Sequence, residues 1–550
     1  MRRAGHLAAL LGLSLALALS VTVHAHAQGA AEIGPTAGGG GGRGRILLVL
    51  PFDNLTGQPS LEWMREAAAN LLSSRFTSAG FAPMSRADRV YALDHLGLPQ
   101  GFHPSRASSL KLAETLDADS IIVGSYKTDG GEIVAEAQVV DVPHLRMSQA
   151  VTARGQMRAM TSVFDALAWK LTRQMDPGFS VAEETFVAAG SGLRLDAFEQ
   201  YIRGITESDQ AERLRHLNAA VKLSPDFSPA WMALGREQYA SQQYEQAAEA
   251  FAKVDHNGAD ALEAGFYRGL SLLFSGDYAR AGEAFAGVAR VLPLAEVLNN
   301  QAVALARQGK DGIPLFRQAV AADPNGADYH FNLAVSLRRR GHDTEALAEI
   351  SHCLRLHSND SEAQALQKAW KASATASTGA LEAGADEEAE PRDHALERIE
   401  RGFDAVAFRQ AAFMMDQMNE ARLAALPPQE RAQKLSARAK DYLDRGLLLE
   451  AERLYQAVAA ADPKAAAAHA GLAEVRERTG AAGAARKEAH IALKLGPSAD
   501  AYLVLGRLDL ADGHLDEAGK EASEALELVP ASKAAHELRQ QIEARQAQKK

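Results

Sequence analysis

The sequence predicts an α-helical solenoid built from two blocks of paired-helix repeats, preceded by a small α/β domain. Three observations carry this reading. Small residues recur every 32–34 residues across 194–547, and prolines fall at one phase of that period. Residues 46–176 instead alternate short β-favouring runs with helical stretches. A length of 550 residues suits several domains or a long array. Hydrophobic residues at 47% and charged residues at 23% are values of a folded chain rather than a disordered or fibrous one. Asp and Glu number 70 against 59 Lys and Arg, a net charge of −11, so no nucleic-acid partner is expected, since phosphate binding needs a basic face. Cys353 is the single cysteine, which excludes an intrachain disulfide and a thiolate metal cluster.

Residues 1–27 read as a signal peptide. Arg2 and Arg3 form a positive start, Leu7 to Val23 is a Leu/Ala-rich run, and Ala25-His26-Ala27 supplies the small–x–small cleavage pattern. The expected location is therefore periplasmic or secreted, with cleavage after Ala27. No later segment is apolar enough for long enough to span a bilayer. Outside the cytoplasm, with one cysteine, stability must come from packing rather than cross-links. Residues 28–45 contain Gly38-Gly39-Gly40-Gly41-Gly42 ahead of the first strand, which makes them a Gly-rich linker and not a phosphate loop, because such a loop follows a strand.

The α/β domain, 46–176, opens with Ile46-Leu47-Leu48-Val49-Leu50, a continuous apolar run suited to a strand buried on both faces. Asp53-Asn54-Leu55-Thr56-Gly57 is turn chemistry, so Asp53 and Asn54 read as turn formers. Helices are expected over 61–78, 86–95, 107–116 and 162–175, with short strand character at Phe81-Ala82-Pro83-Met84. Ser120-Ile121-Ile122-Val123-Gly124 gives a second central strand. Asp129-Gly130-Gly131 turns the chain into a strand with Ile133, Ala135, Ala137 and Val139 on one face and Glu132, Glu136 and Gln138 on the other, and a further strand is expected through 147–152. Two stretches, Val49 to Gly57 and Ala118-Asp119-Ser120-Ile121-Ile122-Val123-Gly124-Ser125-Tyr126, resemble the TolB-like amino-terminal domain family of bacterial envelope and signalling proteins. That resemblance implies an envelope setting and supplies no catalytic motif.

In the repeat region, units open at Ser228, Leu262, Ala295 and Ala327 (spacings 34, 33 and 32), then at Ala432, Ala466 and Ala499 (34 and 33). A small residue sits in each first helix: Gly235, Gly269, Ala302, Ala334, Ala439, Ala473 and Gly506. A second slot holds Ala247, Ala281, Ala346, Ala451, Ala485 and Ala518, and a third holds Val254, Val288, Ala319, Cys353, Val458, Ala492 and Ala525. Pro225, Pro293, Pro324, Pro463, Pro497 and Pro530 end units in phase, because proline cannot donate the next helical hydrogen bond. The pattern Trp231…Leu234-Gly235…Ala247…Phe251, with Asn332-Leu333-Ala334…Gly341…Ala346, is identified as that of tetratricopeptide repeats. Each unit is then two antiparallel helices meeting at small residues, stacked because one unit cannot bury its apolar face alone. The unit opening at Ala295 has Ile313-Pro314 in place of the second small slot, so its second helix is expected to start late. The first block covers 194–370, with a degenerate first unit in which Gln200-Tyr201 replaces the usual Leu-Gly, and a closing helix at 361–370. Residues 371–393 form an acidic, Ala/Ser/Gly-rich linker, and 394–431 a helical connector with Phe403, Phe408, Phe413, Met414, Met415 and Met418 as packing residues. The second block is 432–547, with a closing helix at 533–547. Glu349 falls on the outer face of its unit.

Catalytic signatures fail on spacing. His536-Glu537 lacks a second histidine one turn on, Gly190-Ser191-Gly192 is not a nucleophile elbow, and Gly309-Lys310 lacks the rest of a phosphate loop. His352, Cys353 and His357 have metal-like spacing, but Cys353 occupies a packing slot. No catalytic residue, cofactor or metal is expected, and the chain reads as a non-enzyme. The repeat resemblance implies that proteins or peptide segments are held on the concave face of the first helices, here Met232, Arg236, Phe266, Leu270, Asn299, Arg338, Arg339, Lys440 and Arg507. A mixed apolar and arginine-bearing groove suits an acidic or amphipathic segment. The family's Lys/Asn/Arg clamp for a carboxyl-terminal tail is not reproduced at Met232 and Arg236. The expected function is an exported scaffold or adaptor that binds partner proteins in a bacterial envelope assembly. The alternatives are an accessory activator of an envelope enzyme acting through the α/β domain, and an enzyme using that domain's strand ends.

Overall fold

The structure is a computed structural model and describes residues 46–99, 105–190, 192–256, 258, 260–379, 396–403, 418 and 421–549. The signal peptide, the Gly-rich linker, residues 380–393 of the acidic linker, and Phe408, Phe413, Met414 and Met415 of the connector lie outside the described residues. The chain forms two compact units. One lies within Ser228–Ala411; the other combines Ala30–Phe227 with Ala412–Lys550.

In the second of these, the α/β domain has strands β1 (Ile46–Val49), β2 (Asp53–Asn54), β3 (Ala82–Pro83), β4 (Ser120–Asp129), β5 (Glu132–Asp141), β6 (Arg146–Met147) and β7 (Val151–Gln156). The sheet runs β3-β1-β4-β5-β6, with β2 also beside β4 and β7 also beside β5. β1 is parallel to β3 and β4, and Leu48 faces Ile121 across the ladder. Helices α1 (Met64–Ser78) and α4 (Met160–Met175) pack on one face of the sheet. On the other, α2 (Arg86–His95) and α3 (Arg106–Thr115) share a core with Leu48, Leu50, Ile121 and Val140. Cover on both sides is why β1 is apolar throughout, and why Val140 breaks the alternation of β5. Gly130 and Gly131, at φ +59° and +84°, make the two-residue β4–β5 turn, which demands positive φ at both positions. The strand expected over 147–152 is two pieces, β6 and β7, on different stretches of β5. Asn54 is a turn former: its carboxamide accepts from Thr56 and donates to the Gln58 carbonyl.

Beyond α5 (Glu183–Ala188), helices α6 (Leu195–Thr206) and α7 (Gln210–Leu223) form the degenerate paired unit, and α6 packs on α1 with Trp63 edge-on to Phe198. Its small-residue contact is Gly204, where a Cβ would lie 2.8 Å from Leu217, rather than a position near Tyr201. The same compact unit holds the second block of repeats. That block comprises α17 (Pro428–Asp444), α18 (Leu448–Ala461), α19 (Ala466–Arg478), α20 (Ala482–Leu495), α21 (Ala499–Asp512), α22 (Leu515–Leu528) and α23 (Lys533–Lys549). The stretch 180–185 is fastened to this block. Glu452, fully buried, accepts from Arg476 at 2.6 Å and from the Ala182 amide at 3.1 Å, Arg476 also donates to Thr185 at 2.8 Å, and Ser180 bonds Gln456 at 2.5 Å.

The Ser228–Ala411 unit holds α8 (Ser228–Ala240), α9 (Tyr244–Phe251), α10 (Ala261–Phe274), α11 (Tyr278–Val291), α12 (Ala295–Arg307), α13 (Ile313–Ala322), α14 (Ala327–Arg339), α15 (Asp343–Leu356) and α16 (Ser361–Gly379). In both blocks every residue of the three small slots is buried. The reason is steric. A Cβ on Gly235 would sit 2.7 Å from Phe251, and one on Gly269 2.6 Å from Phe285. Each phase-marking proline lies two residues past the end of a second helix. The expected late start of α13, at Ile313 with proline in its first turn, is what the structure has. Within-unit turns carry a positive-φ glycine at Gly276, Gly309, Gly341, Gly446, Gly480 and Gly513; the unit opening at Ser228 instead has Gln242 at φ +59°.

The molecule departs from the sequence pattern at three places. The closing helix α16 continues to Gly379, into the stretch read as linker. Residues 396–403, read as part of a helical connector, are not helical: they are the segment described below. Glu349 is no mere outer-face residue, since its carboxylate bonds the buried His330 at 2.6 Å.

Candidate functional site

The first helices of the Ser228–Ala411 unit hold a segment of the same chain. Residues 396–403 cross α14, α12 and α10 in that order, so the segment runs against the sequence of the repeats. Two asparagines in equivalent positions, Asn300 and Asn332, each grip one residue of its backbone from both sides. Asn332 accepts the Arg398 amide at 2.7 Å and donates to the Arg398 carbonyl at 2.7 Å. Asn300 does the same for Glu400, at 3.0 and 2.7 Å. A side-chain carboxamide has the donor and acceptor of a peptide group, so the pair replaces a neighbouring β-strand. Asn299 adds a bond to the Arg398 carbonyl at 3.1 Å and accepts from Asn332 at 2.8 Å. With the segment in place Asn299, Asn300 and Asn332 are 1%, 0% and 0% exposed, and every one is satisfied, as buried amides must be.

Side chains give the segment its direction. The Arg398 guanidinium bonds Asp328 at 2.7 Å, Asp360 at 2.6 and 3.0 Å and Glu362 at 3.0 Å, and lies 3.6 Å from the centre of the Phe331 ring. Burial works against the charge on Arg398, but the bonds to Asp360, Asp328 and Glu362 outweigh it and raise its pKa above the ordinary value. The same bonds hold the Asp360 carboxyl below the usual carboxylate range. The buried Glu397 pairs with Arg339. At the far end Phe403 packs against Phe266 and Tyr267, with ring centres 5.7 and 6.2 Å apart, its backbone bonds the Tyr267 hydroxyl, and Arg401 lies over Phe274 at 4.9 Å.

Of the residues expected to line the binding face, Phe266, Asn299 and Arg339 touch this segment. Met232 and Leu270 are buried. The remaining cations face carboxylates of the chain itself: Arg236 pairs with Glu263, Arg338 with Asp343, Lys440 with Asp444 and Arg507 with Glu477. The groove therefore offers acid to an incoming cation at its best-defined pocket, and at Arg339 it offers a cation to an acidic residue, as expected of the face-lining arginines. Asn300, Asn332 and the Asp328–Asp360–Glu362 pocket escaped the sequence reading. A signal was present, because Asn300 and Asn332 are the sixth residues of consecutive units. Cys353 packs in its slot, and burial beside Asp360 pushes its thiol up to about 11. Asp509, Asp512 and His514 have ligand atoms within 4.8 Å of one another, but Arg486 neutralises both carboxylates. No helix among the described residues is long and apolar enough to cross a membrane.

Paired helices meeting at small residues, stacked unit on unit, define a helical repeat solenoid with a small α/β domain ahead of it. The tetratricopeptide repeat family model matches residues 310–361 and 436–498, one stretch in each block of paired helices. No curated protein matches the chain. Among solved structures, it is similar to YrrB, described as a TPR protein with an unusual peptide-binding site, at 16% identity over 37% of this chain and 99% of that one, TM-score 0.28. MamA from Desulfovibrio magneticus RS-1 is similar at 20% identity over 33% of this chain and 100% of its own, TM-score 0.27. The LpoB C-terminal domain from Escherichia coli is similar at 20% identity over 21% of this chain and 84% of its own, TM-score 0.19.

Proposed function

We propose that this chain is an exported, non-enzymatic scaffold that binds partner proteins through the first-helix faces of its repeats in a bacterial envelope assembly. Tetratricopeptide repeats generally mediate protein–protein interaction, which agrees with this reading. The observation that carries it is the double grip of Asn300 and Asn332 on the main chain of an extended segment, the chemistry needed to hold a polypeptide. Export rests on the pattern of residues 1–27, and the small α/β domain, read as TolB-like, would recruit or anchor the scaffold. Affinity purification of the full chain from envelope fractions tests the reading. Stoichiometric partner proteins are expected with the wild type and should be lost with Asn300→Ala/Asn332→Ala. The mature protein should begin at Gln28 and fractionate with the periplasm or medium; an uncleaved cytoplasmic protein would overturn the placement.

A further inference from the structure

We infer that residues 396–403 are an internal competitor, occupying a groove whose outside partner is an extended protein segment with an acidic residue, then arginine, then an aromatic residue five positions after the arginine. This deepens the scaffold reading and rests on it. Four features of the groove set the chemistry of that partner. The paired carboxamides address only main-chain groups of Arg398 and Glu400, so they accept any extended chain without proline at those positions. Asp328, Asp360 and Glu362 converge on one guanidinium that also lies on the Phe331 ring, a combination of planar donor fork and flat cation that arginine meets and lysine does not. Phe266 and Tyr267 receive the Phe403 ring at the other end. Arg339 prefers an acidic residue immediately before the arginine, as Glu397 provides.

A segment tethered in the same chain acts at an effective concentration on the order of millimolar, so a partner must either outbid it or bind only the fraction of molecules in which it has left. Weakening the internal copy should then strengthen binding of the same sequence supplied from outside. The probe is a fluorescent synthetic peptide covering residues 396–403, titrated against the full chain. Arg398→Ala in the chain should bind the peptide at least about tenfold more tightly than wild type, since the open fraction rises. Arg398→Ala/Asn300→Ala/Asn332→Ala should lose that binding, and a peptide with alanine in place of its arginine should not bind. Equal affinity for wild type and Arg398→Ala, or no binding to a folded Arg398→Ala chain, would overturn the inference. Should Arg398→Ala not fold, hydrogen exchange in the wild-type chain decides: excess peptide should lower protection of the Arg398 and Glu400 amides, and unchanged protection refutes displacement. A wild-type chain that dimerises with concentration, and whose dimer the peptide dissolves, would make a second copy the occupant and overturn the assignment to an outside partner. If the peptide is ignored while envelope partners are still captured in an Asn300- and Asn332-dependent way, this inference falls and the scaffold reading stands.

Discussion

Each block of repeats holds a piece of the chain that is not itself a repeat, and the two do so by opposite chemistry. In the Ser228–Ala411 unit, first helices hold 396–403 with neutral carboxamides and a half-exposed charge cluster. In the second block, the second helix α18 and the first helix α19 hold 180–185 through Glu452 and Arg476, an ion pair withdrawn from water. The positions equivalent to Asn300 and Asn332 in that block are Ala437, Gly471 and Val504, which have no amide to offer. Each neutral hydrogen bond contributes about 0.5–1.5 kcal/mol net, whereas removing one partner of a buried ion pair costs about 3–5 kcal/mol.

The sharpest break in that contrast is Arg476→Met, which leaves the Glu452 carboxylate buried without its counter-charge. A loss of about 3–5 kcal/mol in denaturant unfolding is expected, with most of it recovered in Arg476→Met/Glu452→Leu. Equal stability of the single variant and wild type would show that the pair is not a permanent fastening. The two units should also differ in acid. Burial pushes the Asp165 carboxyl, bonded to Arg75, up from 3.8 to about 6. The folded state therefore keeps a proton that the unfolded state loses, and this contribution to stability is present below pH 3.8 and disappears as pH rises through about 6. Asp165→Asn should flatten that slope, a change on the order of 2 kcal/mol across the window, read from unfolding at pH 4 to 7. Asp360, lowered by Arg398, has the opposite sign: its stabilisation is present above its unfolded pKa and is lost as pH falls through the folded one, so acid should free the 396–403 segment.

Seam packing should behave alike in both blocks. Ala346→Leu and Ala485→Leu overfill buried slots and should each cost about 1–3 kcal/mol; a neutral result at either would break the shared phase of the repeats. Glu349→Leu should cost less than Ala346→Leu but not nothing, since His330 loses one of its two partners, a hydrogen bond worth about 1 kcal/mol, and keeps the Pro324 carbonyl. The smallest effect is Gln242→Gly, which places glycine at the positive-φ turn position of the unit opening at Ser228 and should raise stability by about 0.5–1 kcal/mol by relieving a left-handed backbone.

The repeats were legible because their physics is local. Gly235 against Phe251 and the proline two residues past each second helix are fixed by spacing within a unit, and they repeat. The α/β domain was nearly as legible, since the Gly130-Gly131 turn and the burial of β1 on both faces leave direct marks on composition. The groove's contents were not. Asn299 pairs with Arg398 across 99 residues and Asn300 with Glu400 across 100, and nothing periodic links a groove to what fills it. The apolar residues around Phe403 suggested a helix, yet Phe403 packs on α10 because Asn332 and Asn300 hold the preceding residues extended. Arg236, Arg338 and Arg507 misled for a related reason, whereas Arg339 does meet the segment at Glu397. Position on a face shows where a charge points, not which carboxylate already answers it, as Glu263 does for Arg236.

Asn332 and Asn300 address residues two apart, so their bonds alone would tolerate a ligand slipped along by a dipeptide in either direction. Such a slip would swing Leu396 or Glu400 into the space filled by the Arg398 guanidinium, setting a hydrocarbon or a fourth negative charge among Asp328, Asp360 and Glu362. Those three carboxylates work as an indexing pin. They turn a clasp that is blind to sequence into one that closes in a single frame.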